Sequence, residues 1–158
     1  MWTETESPIG PLRLVERDGA LSAIEFSPYR EEACPTQERQ DDHPLLLETA
    51  RQLAAYFAGE RRDFDLPLAP VGSDFQQRVW AQLQEIGFGE TASYGQVALR
   101  LGMTNAASRA VGLANGRNPI PVVIPCHRVI GANGTLTGYA GGLERKQLLL
   151  SLEQHSLF

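Results

Sequence analysis

Ser93-Tyr94-Gly95-Gln96-Val97-Ala98-Leu99-Arg100-Leu101-Gly102 is the stretch on which the fold of this chain turns. Ser93 and Gln96 are spaced as a capping box, in which each side chain satisfies a free backbone N–H of the other residue. The short helix they open runs through Val97 and Leu101, and Gly102 ends it. A second helix is expected from about Ala106 to Asn115. Two short helices joined by a tight glycine-containing turn read as a helix-turn-helix, although helical hairpins are common and mostly structural. The second helix, Ala106-Ala107-Ser108-Arg109-Ala110-Val111-Gly112-Leu113-Ala114, offers small residues and a single arginine. A major-groove reader normally carries several long polar side chains. Small residues instead let a backbone approach the narrow minor groove, or simply pack inside the protein.

Upstream, Ser73 and Gln76 form another capping box, opening a helix whose apolar side is Phe75, Val79, Leu83 and Ile86. Two prolines and a glycine between Pro67 and Gly72 mark a boundary, giving an N-terminal domain of residues 1–70 and a C-terminal domain of 73–158. In the first, Leu12, Leu14 and then Ile24, Phe26 alternate around Asp18-Gly19, the signature of a β-hairpin. Residues 28–43 read as a variable loop. Leu46, Ala50, Leu53 and Phe57 repeat at helical spacing up to Gly59, and Phe64, Leu66 and Leu68 alternate as a third strand. The fold class is α/β in the broad α+β sense: a small sheet with one helix, then a mainly helical domain.

The 158 residues are 42% apolar, so a real core can form. No apolar run approaches the ~20 residues of a membrane helix, the start lacks a secretory pattern, and a cytoplasmic protein is expected. The net charge of −5 argues weakly against a nucleic-acid partner, but it is unevenly spread. Residues 1–72 hold 7 Arg against 14 acids, −7; residues 73–158 hold 7 Arg or Lys against 5 acids, +2. The second half can therefore approach a polyanion. Two cysteines, Cys34 and Cys126, are too few for a disulfide scaffold, and no spacing suits a metal; no metal and no cofactor are expected. His43 and Cys34 suggest nothing specific, and His155 is expected in solvent.

Downstream of the helical pair, Ile120-Pro121-Val122-Val123-Ile124-Pro125 leads into Cys126-His127-Arg128-Val129-Ile130. Asn133-Gly134 reads as a type I′ turn between two short strands, a wing. Gly138-Tyr139-Ala140-Gly141-Gly142 precedes a last helix, Leu143 to about Glu153. A cysteine attacks as thiolate; an imidazole can take its proton, and a carboxylate can orient that ring. Cys126 and His127 supply the first two parts. Neighbours in an extended chain point oppositely, so their contact needs a turn or a bridging water. Glu153 and Glu144 are both candidate carboxylates. The plain alternative is a small buried cysteine behind a Val-Val-Ile run.

Ile124-Pro125-Cys126-His127-Arg128-Val129-Ile130 resembles the active-site signature of the O6-alkylguanine-DNA alkyltransferases. Ser93-Tyr94-Gly95-Gln96, Ser108-Arg109-Ala110-Val111-Gly112, Asn118-Pro119, Gly138-Tyr139-Ala140-Gly141-Gly142 and Leu152-Glu153 resemble family segments in the same order. Ser7-Pro8-Ile9-Gly10-Pro11-Leu12 and Tyr56-Phe57-Ala58-Gly59 extend the likeness to the first half. The resemblance implies an RNase H-like N-terminal domain and a C-terminal winged-helix domain. It implies a monomer that binds double-stranded DNA containing alkylated guanine, with cooperative assembly along DNA left open. Cys126 would accept the alkyl group once, His127 would act as base through a water, and Glu153 would hold that relay. Asn118 would brace the turn before the active-site segment. Tyr94 would assist rotation of the nucleotide and donate to the leaving guanine, while Val129, Tyr139 and Ala140 would line its pocket. Arg109 would fill the gap in the base stack, with Ala106, Ala107, Gly112 and Ala132 along the DNA. Two departures stand out: Ala140 replaces a frequent Ser, and Gly102 to Arg109 is one residue longer than usual.

Two other readings share these residues. A lesion-binding relative would keep the fold without the nucleophile, which Cys126 argues against. A Cys-His-Glu hydrolase would turn over and need no DNA.

Overall fold

The computed structural model describes residues 1–29 and 38–155; Cys34 and the side chain of His155 lie outside what is described. The chain divides into two compact units, Met1–Val71 and Gly72–Phe158.

In the first unit, β1 (Trp2–Thr5), β2 (Leu12–Arg17) and β3 (Ala20–Phe26) form an antiparallel sheet in that order. Asp18 and Gly19 sit at φ 52° and 83°, the two left-handed positions a type I′ turn requires, so β2 and β3 close as the hairpin expected. Helix α1 (Pro44–Phe57) packs against all three strands. Leu12, Leu14, Leu21, Ile24, Leu46, Leu53 and Tyr56 make the core between them. His43 has a structural job: its Nδ1 caps α1 by accepting from the Leu45 N–H at 3.2 Å, and its Nε2 lies 3.2 Å from Glu16.

Residues 64–68 do not form the expected strand. The buried Gln52 amide takes both backbone groups of Asp65, donating to its carbonyl at 3.0 Å and accepting from its N–H at 2.9 Å. Pro67 has no N–H to give a ladder, and Leu68 makes only an isolated bridge with Leu21. The third strand is β1 instead, and Arg39, at the end of the expected loop, bridges to Trp2.

In the second unit, α2 (Asp74–Leu83) and α3 (Tyr94–Arg100) each start at a complete capping box, Ser73 with Gln76 and Ser93 with Gln96. Buried Trp80 of α2 donates its Nε1–H to the Ala114 carbonyl at 2.9 Å, which ties α2 to α4 (Ser108–Gly116). Helix α3 ends at Gly102, whose φ of 78° suits a residue without Cβ. A 3-10 turn, Asn105–Ala107, then leads into α4. A Cβ on Gly95 would fall 2.1 Å from Asn105 Oδ1, so this glycine sets how closely the turn meets α3.

Strand β4 (Ala92–Ser93) pairs in parallel with β5 (Val129–Ile130). The expected wing hairpin is absent among the described residues. Past Ile130 a loop is closed by the Gly131 N–H donating to the Thr135 carbonyl at 2.9 Å, and no strand follows it. Helix α5 (Leu143–His155) buries Lys146, Leu149, Leu150 and Glu153, the i, i+3, i+4, i+7 stripe of one helical face. Among the described residues, no helix is long and apolar enough to cross a membrane, and no group of three metal-ligating side chains forms.

Candidate active site

The segment before Cys126 is shaped by a local device. Pro125, at φ −82° and ψ 64°, centres an inverse γ-turn in which the Cys126 N–H donates to the Ile124 carbonyl at 2.8 Å. A 3-10 turn over Cys126–Arg128 follows, so the neighbours are not in extended backbone. Asn118 braces this approach. Its Nδ2 donates to the Ile124 carbonyl at 2.8 Å, and its Oδ1 accepts from the Ile120 N–H at 3.0 Å. Between those contacts lies Val122, held at φ 74°, a left-handed conformation that a β-branched residue adopts only under strain. Asn115 of α4 adds a bond from Nδ2 to the Cys126 carbonyl at 3.3 Å.

The turn feeds His127 and Arg128 toward α5. His127 Nε2 lies 2.7 Å from Glu153 Oε2, and both residues are at most 1% exposed. Of the two candidate carboxylates, Glu153 is the one that reaches the ring; Glu144 is exposed in the first turn of α5. Arg128 grips the same carboxylate, Nε to Oε1 and Nη2 to Oε2, both at 2.9 Å. Lys146, the only lysine of the chain, is fully buried, and its Nζ donates to the Val129 carbonyl at 2.7 Å and the Thr137 carbonyl at 3.2 Å.

Electrostatics hold the attacking cysteine as a thiol at rest. Burial pushes the Cys126 thiol up to about 11, against the pull of hydrogen bonding from Asn118 and Tyr139 and the charge of Lys146. Burial also lowers His127; its contact with Glu153 opposes this, while the charges of Arg128 and Lys146 add to it. Burial alone would raise Glu153, but hydrogen bonds from His127 and Arg128 outweigh it and bring the carboxyl down to about 2. At rest the pair is a neutral thiol beside a neutral imidazole, backed by an ionised carboxylate. Among the described residues, His127 Nδ1 has no hydrogen-bond partner although it is buried.

The remaining expected residues are distributed as follows. Tyr94, the first residue of α3, shares a hydrogen bond of 2.5 Å with Thr137 Oγ1, and its ring lies beside Gly112. Tyr139 stands near enough to the thiol to lower it slightly, and Val129 is buried directly after the 3-10 turn. Arg109, Ala106, Ala132 and Ala140 are exposed and Ala107 half-buried, all outside the buried cluster. Arg128, Lys146, Asn115 and Thr137 join the site without having been singled out from sequence. A signal existed for Lys146, which stands seven residues before Glu153 and so on the same helical face.

A family model for the 6-O-methylguanine DNA methyltransferase ribonuclease-like domain matches residues 1–70, and one for the DNA binding domain matches residues 74–155. The chain belongs to the 6-O-methylguanine DNA methyltransferase family. The family's ribonuclease-like and DNA binding domains thus account for the α+β architecture. Among relatives of this methyltransferase family, the methylated-DNA--protein-cysteine methyltransferase of Methanosarcina acetivorans is 50% identical over 148 residues, covering 94% of each chain. Its namesake from Mycolicibacterium paratuberculosis is 53% identical over 150 residues, covering 94% of this chain and 89% of its own. A solved structure of Mycobacterium tuberculosis OGT in complex with DNA superposes with a TM-score of 0.91 at 45% identity, over 98% of this chain and 93% of the other.

Proposed function

We propose that this methyltransferase reverses alkylation damage in double-stranded DNA by moving the alkyl group from O6 of guanine onto Cys126, once per molecule. The observation that carries the reading is the hydrogen bond of 2.7 Å between His127 and Glu153, one residue along from a buried cysteine. It is supported by kinship to proteins named for transfer to a cysteine, and by likeness to one solved with DNA.

Chemically, the S–C bond forms as the C–O6 bond breaks, and the thiol proton ends on the released guanine. His127 serves as the intermediate base, receiving the Cys126 proton at Nδ1 through a water, while Glu153 holds the ring and balances its charge. Keeping both groups neutral until substrate arrives suits a protein that is consumed by one reaction. The thioether product has no leaving group, so the alkyl stays. Tyr94 donates to the departing guanine; Tyr139, Val129 and Ala140 surround it; Asn118 fixes the approach of the cysteine. An atom attached to a stacked base is inaccessible, so the nucleotide must be everted at a cost of a few kcal/mol. Arg109, exposed on α4, takes the vacated place, with Ala106, Ala107, Gly112 and Ala132 along the minor groove. One chain suffices, because acceptor, base and carboxylate lie on one unit.

Intact mass after incubation with DNA carrying O6-methylguanine tests this. One methyl should be added, on the peptide holding Cys126, and Cys126→Ser should bind the lesion without transfer. More than one methyl released per protein would refute a stoichiometric reaction and favour a turning-over hydrolase.

A further inference from the structure

We propose that Arg128 is a positioning residue of the proton relay: by gripping both carboxylate oxygens of Glu153 it reserves the His127 imidazole for the Cys126 proton. The proposal rests on the function given above.

The geometry is a buried fork. Arg128 Nε meets Glu153 Oε1 and Nη2 meets Oε2, each at 2.9 Å, while the same Oε2 also lies 2.7 Å from His127 Nε2. The third arm is anchored behind the site: Nη1 donates to the Ile86 carbonyl at 2.6 Å, and the guanidinium stands 5.9 Å from the centre of the Phe88 ring. Two bonds on one carboxylate fix its plane as well as its position. The other in-plane lone pair of Oε2 is thereby held toward the imidazole. With Nε2 donating to that oxygen, the free lone pair of His127 is on Nδ1, the atom without a partner among the described residues.

Charge completes the argument. A buried carboxylate next to an imidazole, with nothing else, is relieved by taking a proton into the pair, and the resulting imidazolium cannot act as a base. The guanidinium already balances that carboxylate, so the ring stays neutral. Among the described residues, the other charged groups that act on His127 are Lys146 and Glu153 from α5, with Cys126 the preceding residue of the same turn, whereas α2 buries Val79, Trp80 and Leu83. Lys146 acts on the ring in the same direction as Arg128, while burial lowers its own pKa. Packing alone does not explain an ion pair here, because well-fitted apolar side chains generally replace buried pairs without loss of stability.

Two measurements test this, one of them without any variant. In the parent protein, 15N chemical shifts of the His127 ring should show an imidazole that is protonated at Nε2 and still neutral below the ordinary histidine midpoint. A ring that is cationic at neutral pH overturns the proposal, whether or not the protein repairs DNA. Next, alkyl transfer is followed against pH for Arg128→Gln and Arg128→Lys. Arg128→Gln should move the acid limb upward by about one pH unit or more, the effect of removing a neighbouring charge, with transfer partly recovering at high pH. Arg128→Lys, which keeps the charge but not the fork, should hold the limb in place while slowing transfer about tenfold. Uniform slowing of Arg128→Gln at every pH, with an unmoved limb, would reduce Arg128 to packing. Should Arg128→Gln fail to fold, the ring shifts and the Arg128→Lys limb still decide. An inactive parent with the expected ring shifts would instead count against the function.

Discussion

Replacing Glu153 by Gln removes one charge and one acceptor from a carboxylate that takes hydrogen bonds from both His127 and Arg128. An amide has one carbonyl, so at least one of those N–H groups would face another N–H. The guanidinium would stay buried without its counter-charge. Removing one partner of a buried pair costs about 3–5 kcal/mol. Titration gives a second route to the magnitude: holding a carboxyl at about 2 instead of 4.5 corresponds to roughly 3 kcal/mol of native stability. The sign follows from the folded value being the lower one. This contribution is complete above about pH 4.5 and is lost as pH falls through about 2. Urea unfolding, read by the fluorescence of buried Trp80 against Trp80→Phe controls, should give a parent-minus-Glu153→Gln gap of about 3 kcal/mol near neutral pH. The gap should shrink below about pH 5 and be mostly gone by about pH 2. A gap that is absent at neutral pH, or that does not narrow in acid, would refute the reasoning.

Three further outcomes are expected. With its thiol pushed up to about 11 and only 4% exposed, Cys126 in the DNA-free protein should react with iodoacetamide on the order of 100-fold more slowly than free cysteine near neutral pH. Peptide mass mapping separates it from Cys34, and a rate equal to that of free cysteine would contradict the buried neutral thiol. Asn118→Ala leaves the Ile120 N–H and the Ile124 carbonyl without this partner, a cost of about 2–4 kcal/mol. Thermal unfolding should show a Tm lower by roughly 5–15 °C, and a loss under about 2 °C would deny the bracing role. Arg109→Ala, at an exposed site, should change stability by no more than about 0.5 kcal/mol. It should slow repair of duplex DNA more than reaction with a free benzylated guanine, measured by single-turnover transfer; equal losses would refute its place in the base stack.

Much of the architecture was written locally. The capping boxes Ser73/Gln76 and Ser93/Gln96, the Asp18-Gly19 hairpin and the stop at Gly102 are each settled by residues within four positions of one another, and each formed as expected. Two local patterns did not survive their surroundings. Alternation at Phe64, Leu66 and Leu68 lost to the Gln52 amide and to Pro67, and Asn133-Gly134 made a loop that β5 enters but no strand leaves among the described residues. Even the choice between Glu144 and Glu153 was open to helical periodicity, because Glu153 continues the stripe of Lys146, Leu149 and Leu150.

Sequence alone therefore determined where most helices and turns begin and end and offered candidates for the chemistry, since caps, turns and periodicity are short-range effects. Tertiary structure alone decided the protonation of the thiol, the meeting of His127 with a carboxylate 26 positions away, and the grip of Arg128 on both oxygens. Those depend on how much water is removed from each group and on which charge stands beside it. Both are properties of the packed unit, which no short stretch of chain possesses.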